Sequence, residues 1–155
     1  MTAASAKADT ILSYQITGPG LNASFQVAQY PTPSAVIPFY DFTVTGISGV
    51  VNTVSETLAV NFYTGWLGLG GLLGDGSSHV DFDLYGPQLF TGSLWNPTLT
   101  TGTFKLADYL GYLTGDYNYT LTATVVGAAA PEPSTLLLLG VGGLTLLALK
   151  LKRII

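Results

Sequence analysis

The chain has 155 residues, about one domain's length, with 48% hydrophobic and only 9% charged residues and no cysteine. Disulfides and thiol chemistry are therefore excluded, and a packed core must carry the fold. Between Asp9 and Gly127 one base, Lys105, stands against eight acids, a net charge of −7, and a body this acidic repels phosphate backbones and excludes nucleic-acid binding.

The first residues, MTAASAKAD, are small and polar. Ala6-Lys7-Ala8 has the small-x-small form of a signal-peptidase site, as does Ala4-Ser5-Ala6, with no apolar stretch before either. Residues 1–8 read either as the remnant of a signal peptide and its cleavage region or as an ordinary terminus.

From Thr10 to Val126 the dominant hydrophobic period is two. Leu12, Tyr14 and Ile16 share one side, and Phe25 with Val27 repeats the pattern, as do Tyr40, Phe42 and Val44. Leu58, Val60 and Phe62 alternate with Ala59, Asn61 and Tyr63. Such alternation, rich in Val, Thr, Tyr and Phe, is what a strand with one buried face requires. Turn formers punctuate the runs: Gly18-Pro19-Gly20, Pro31-Thr32-Pro33 and Gly46 to Gly49 early on, then Gly74-Asp75-Gly76, Gly86-Pro87, Asn96-Pro97 and Gly115-Asp116.

The stretch from Gly65 to Gly74 fits neither period. It reads as a wide loop or a bulged strand whose glycines let the backbone pass close to its neighbours, or else as an exposed apolar loop that meets a partner. Trp66 lies within it, and with Trp95 it is a candidate for stacking against a sugar. Tyr85, Tyr109 and Tyr112 are further loop aromatics of that kind. The bland reading is that nine tyrosines and seven phenylalanines supply core bulk to a fold without cysteine.

Val80, Phe82 and Leu84 alternate with Asp81, Asp83 and Tyr85. Asp81 and Asp83 share a strand face, and with Asp75 beside the Gly76 turn they offer carboxylate oxygens to Ca²⁺. A solvated face that keeps an edge from pairing is the alternative, and a glycosidase carboxylate pair a third. The only imidazole, His79, sits in Ser77-Ser78-His79-Val80-Asp81. Neighbours along a loop and strand point apart, so this is no catalytic triad. Cys/His clusters and phosphate-cradling loops are missing, and no catalytic residue is assigned.

Lys105 to Leu113 can form a single helical turn. The last run is the cleanest: Tyr117, Tyr119, Leu121, Ala123 and Val125 face one way and Asn118, Thr120, Thr122 and Thr124 the other. Strands at such spacing, joined by turns, predict an all-β body over residues 9–127, an antiparallel β-sandwich of jelly-roll or Ig-like type.

Residues 128–133 form a linker holding Pro131-Glu132-Pro133, and both prolines are poor inside regular elements. Residues 134–149 carry no charge and eight leucines. As a helix they reach about 24 Å at 1.5 Å per residue, short of the ~30 Å hydrocarbon core. The run is apolar all round, follows a proline break, and ends in Lys150, Lys152 and Arg153, whose stems can snorkel. It is predicted to be one transmembrane helix, with residues 150–155 a basic cytoplasmic tail and the acidic body outside.

This tail resembles the PEP-CTERM sorting signal: the triplet Pro131-Glu132-Pro133, an apolar span with Gly140, Gly142 and Gly143, and the basic end. The resemblance implies an exported protein of a Gram-negative bacterium, held in the inner membrane and processed near the triplet by an exosortase. Relatives with such tails are similar to matrix or surface components of strains that make exopolysaccharide. It also implies a cell-surface or extracellular destination after processing. The body is similar, more loosely, to small β ectodomains that carry this signal, through Gly86 to Gly92 and Tyr117 to Thr124. The expected function is structural or adhesive and non-enzymatic, with a carbohydrate-binding module as the alternative. An exposed row of aromatic rings would favour the second, and buried rings the first.

Overall fold

The computed structural model describes residues 10–66, 69–76 and 79–128. The expected signal remnant, the Pro131-Glu132-Pro133 triplet, the span at 134–149 and the basic Lys150, Lys152 and Arg153 lie outside the described residues. Among the described residues, no helix is long and apolar enough to cross a membrane.

The described elements run β1 (Thr10–Gly18), β2 (Leu21–Ala28), β3 (Ala35–Ile37), β4 (Asp41–Val51), β5 (Val54–Tyr63) and β6 (Gly70–Asp75). They continue with β7 (Val80–Gly86), β8 (Phe90–Ser93), β9 (Asn96–Leu99), β10 (Gly102–Leu106), α1 (Tyr109–Thr114) and β11 (Tyr119–Ala128). The helical turn expected over Lys105–Leu113 starts later, at Tyr109, since Lys105 and Leu106 complete β10. Asp108 caps it by accepting a hydrogen bond from the Gly111 N–H at 2.7 Å.

The strands are antiparallel, as the alternation predicts, but they do not form two stacked layers. One sheet runs β10-β11-β1-β2-β4-β5-β6-β7, with β3 paired to β4 off this path. Its two ends then meet at one residue pair, Tyr85 on β7 with Ala107 just past β10. Tyr85 donates its N–H to the Ala107 carbonyl at 2.8 Å, and Ala107 returns the bond at 2.9 Å. The expected sandwich is therefore corrected to a single sheet curled into a nearly closed barrel. Alternation cannot separate the two, since both architectures bury one face of each strand. The pairing does: eight strands follow one another edge to edge in a single sheet, and its two ends come back together.

Most period-two positions fill the interior as expected, although Val80, Tyr117 and Val125, at or near strand ends, are exposed. Leu12, Tyr14, Ile16, Phe25, Val27, Phe42, Leu58, Val60, Phe62, Phe82, Leu84, Leu106 and Leu121 are all buried. Rings pack through this core in a chain, Phe82 to Phe25 (6.4 Å), Phe25 to Tyr14 (5.2 Å), Tyr14 to Phe62 (6.1 Å) and Phe62 to Phe42 (5.1 Å). The β8–β9 hairpin extends it, for Phe90 meets Phe42 edge-on at 4.9 Å, and Leu89 and Leu99 are buried beside it. Full burial of each such side chain stabilises the fold by about 1.5–3 kcal/mol.

Three local expectations change. Asn96-Pro97 begins strand β9 instead of making a turn, and the turn falls at Leu94-Trp95. Pro97 is tolerated because β8–β9 is a separate two-stranded sheet whose strands are both edges. Gly46 marks a bulge inside β4, where the register to β5 shifts between Val44 and Ile47. The turn between β4 and β5 is Asn52-Thr53, both with positive φ (46° and 76°). Asn52 stabilises it by accepting from the Asn22 N–H (2.8 Å) and donating to the Gly20 carbonyl (3.0 Å).

Candidate functional site

The outward face of the barrel carries a second set of rings: Phe39, Tyr40, Trp66, Tyr109 and Tyr117 are exposed, and Tyr63, Tyr85 and Tyr112 half-buried. Trp66 (54% exposed) stands edge-on to Tyr40 at 5.5 Å and tilted to Phe39 at 6.3 Å. Tyr63 stacks on Tyr85 at 5.8 Å and 16°. Tyr85 in turn meets Tyr109 at 5.8 Å and Tyr112 at 6.0 Å, and Tyr112 reaches Tyr117 at 6.4 Å. Tyr40 and Trp66 from the first group and Tyr63 and Tyr85 from the second line a shared pocket of about 210 Å³. It is smaller than the ~300–1,000 Å³ typical of pockets for drug-sized ligands, so it suits one small ring.

Local chemistry explains how the rings are presented. Phe39 is 72% exposed and holds a left-handed backbone (φ 72°), an unusual state for a bulky residue. Its carbonyl accepts the Thr64 hydroxyl at 2.7 Å, and the Tyr40 carbonyl accepts the Thr64 N–H at 2.7 Å. These bonds tie the approach to β4 against the end of β5. Strain of this kind is retained where surrounding contacts over-determine it, as at ligand-binding positions.

One acid, Asp41, lines the pocket, and a second, Asp83, is bonded to two of its tyrosines. Asp41 is only 7% exposed, and its Oδ1 is buried without a hydrogen-bond partner. Burial raises its carboxyl above the ordinary value. Asp83 accepts from both stacked tyrosines, from the Tyr63 hydroxyl at 3.1 Å and the Tyr85 hydroxyl at 2.9 Å. Burial first, and then Asp83, push the Tyr85 phenol up to about 12, and the Tyr63 phenol rises for the same reasons. Both hydroxyls are thereby held as donors to Asp83, while Asp41 Oδ1 stays buried without a partner beside the pocket.

Trp66 lies in this pocket, whereas Trp95, 71% exposed, occupies the β8–β9 turn and joins none of the described ring pairs. Asp81 and Asp83 both face outward but serve different neighbours. The structure brings Asp81 together with Glu56 and His79, and leaves Asp75 and Asp83 outside that group. The reading that neighbours around His79 point apart is corrected for one pair: His79 Nε2 stands 2.7 Å from Asp81 Oδ1. Residues two apart share a side, and this pair does so. Sequence reasoning passed over Phe39, Tyr40, Asp41, Tyr63 and Glu56. The sequence carries a signal for Asp41, a lone acid between Tyr40 and Phe42, but the alternation places Tyr40 inward with Phe42, whereas it is exposed.

Residues 129–153 match the PEP-CTERM protein-sorting motif. The resemblance of the tail is borne out, and the motif marks an exported protein with a C-terminal sorting signal. No curated protein and no solved structure matches the chain.

Proposed function

We propose that this protein is an adhesive, non-enzymatic component of the bacterial envelope or extracellular matrix, and that its aromatic pocket grips exopolysaccharide. The observation that carries this reading is the outward ring row, with exposed Trp66 and Tyr40, beside a buried carboxylate oxygen that lacks a partner. Trp66, Tyr40, Tyr63 and Tyr85 line a ring-sized space together with Asp41. Sugar rings offer apolar C–H faces to aromatic planes and hydroxyls to a carboxylate, so both halves of the pocket have a complement. Buried rings and a bare surface would have favoured a purely structural role.

Charge narrows the class of glycan. The body carries −7 and the pocket sits beside Asp41 and Asp83. A uronic-acid or sulfated polymer would be repelled, so the fitting ligand is a neutral hexose polymer. The sorting motif at 129–153 supports delivery to where such polymers are found. In this reading the apolar run at 134–149 pauses the chain in the inner membrane, Lys150, Lys152 and Arg153 stay cytoplasmic, and an exosortase-type enzyme cuts near Pro131-Glu132-Pro133.

Two experiments test it. The full chain, in detergent, is screened on an array of neutral and acidic polysaccharides; retention on neutral ones is expected, and retention on none removes the binding role. The mass of the protein recovered from its host is expected to end near residue 133, and an intact tail argues for a permanent anchor.

A further inference from the structure

A second site lies at the β6–β7 turn, apart from the ring row. Glu56 comes from β5, which runs beyond the end of β6, since Asp75 pairs with Ala59. His79 comes from the turn and Asp81 from the start of β7. One donor atom from each falls within 4.8 Å of the others. They border a half-open cleft of about 440 Å³ together with Asn52 and Ser55.

Two observations point to a missing ligand. The Asp81 side chain is only 3% exposed. Its Oδ1 meets His79 Nε2 at 2.7 Å, yet its Oδ2 is buried with no hydrogen-bond partner. A carboxylate oxygen in that state costs free energy unless a donor or cation reaches it. The second observation is where this oxygen aims. It lies 2.6 Å from the point a Cβ at Gly76 would occupy, and Glu56 Oε2 lies closer still. Two carboxylate oxygens thus converge on a space that stays open only because residue 76 has no side chain. No lysine or arginine is at hand among the described residues: Lys105 is the one such base in the body, and its ammonium bonds Thr120 at 2.9 Å.

We propose that Glu56, His79 and Asp81 bind a divalent transition-metal ion, with Zn²⁺ the preferred species. One imidazole and two carboxylates are a borderline donor set that suits Zn²⁺, whereas Ca²⁺ takes six to eight oxygens. Three protein donors fill three corners of a tetrahedron. The fourth corner opens onto the cleft, where a water or an outside oxygen donor completes the shell. The ion joins β5 to the β6–β7 turn and neutralises the buried Asp81 oxygen.

The test uses the full chain in detergent, stripped with a chelator and then titrated with Zn²⁺ by calorimetry and with Co²⁺ by visible absorption. One Zn²⁺ per chain is expected, displacing Co²⁺ and raising the melting temperature. Asp81→Asn and Glu56→Gln should each weaken binding by at least about tenfold. Gly76→Ala, which adds a methyl where the oxygens converge, should do the same without removing a donor. Should Asp81→Asn fail to fold, Glu56→Gln and Gly76→Ala decide the matter from the surface. The proposal is overturned by the absence of stoichiometric binding, by undiminished binding in those two variants, or by a preference for Ca²⁺ over Zn²⁺.

Discussion

Tyr63 on β5 and Tyr85 on β7 stack face to face although a whole strand separates them. The strand between is β6, and the residue opposite both is Gly71. With no side chain there, the two rings close to 5.8 Å at 16°. Their hydroxyls then converge on one carboxylate, Asp83. A glycine in the middle strand therefore builds one wall of the pocket.

Gly71→Ala should be strongly destabilising. Gly71 has φ 127°, which side-chain-bearing residues rarely adopt, and a Cβ there would run into the Leu84 carbonyl oxygen. A loss of about 1–3 kcal/mol is expected from the backbone alone. Urea unfolding of the wild type and variant measures it, and a near-neutral result would show that β6 can shift to accept a side chain.

The tyrosine pair makes stability depend on alkaline pH. A free tyrosine ionises near pH 10, while the Tyr85 phenol is pushed up to about 12 in the fold. The folded state therefore holds the proton more tightly than the unfolded one. That contribution is fully present below pH 10 and is lost as the pH rises toward 12. Asp83→Asn should bring the Tyr85 titration part of the way down, since burial is the larger cause and remains. Ultraviolet titration of tyrosinate reports this directly; an unmoved midpoint in the variant would mean that Asp83 does not hold the phenol.

Asp41 should trade stability for binding. Its carboxyl is raised by burial, so its contribution is most favourable below about pH 4 and is lost as the pH rises through its folded value. Asp41→Asn removes the buried charge. Near neutral pH the variant should melt at the same temperature or higher, yet bind neutral glycan about tenfold less well. Calorimetry and thermal melting on the same sample separate the two effects. A variant that is destabilised and binds normally would make Asp41 a structural residue.

The strands were legible in the sequence because alternation is a local record of one buried face, and Leu58-Val60-Phe62 shows it plainly. Closure was not, since it depends on a single pair, Tyr85 with Ala107, that no pattern announces. Asn52-Thr53 escaped notice as a turn because threonine is a poor resident of positive φ, and the Asn52 bonds to Asn22 and Gly20 that hold it are long-range. Trp66 was legible as a candidate, but its partners were not. Tyr40 precedes β4, where a strand's alternation no longer governs, and points out while Phe42 points in. Glu56 and His79 are 23 positions apart, joined only by the way β5 overruns β6.

The most direct test compares two single-tryptophan losses in the full chain, Trp66→Ala and Trp95→Ala, by calorimetric titration with the neutral polysaccharide that the array retains. Both indoles are exposed, but only Trp66 lines the pocket. Removing one stacked ring should cost roughly 1–3 kcal/mol, a loss of about fivefold or more, in Trp66→Ala, with Trp95→Ala left at wild-type affinity. Equal affinity in all three proteins, or a loss confined to Trp95→Ala, would contradict the assignment of this pocket as the glycan contact.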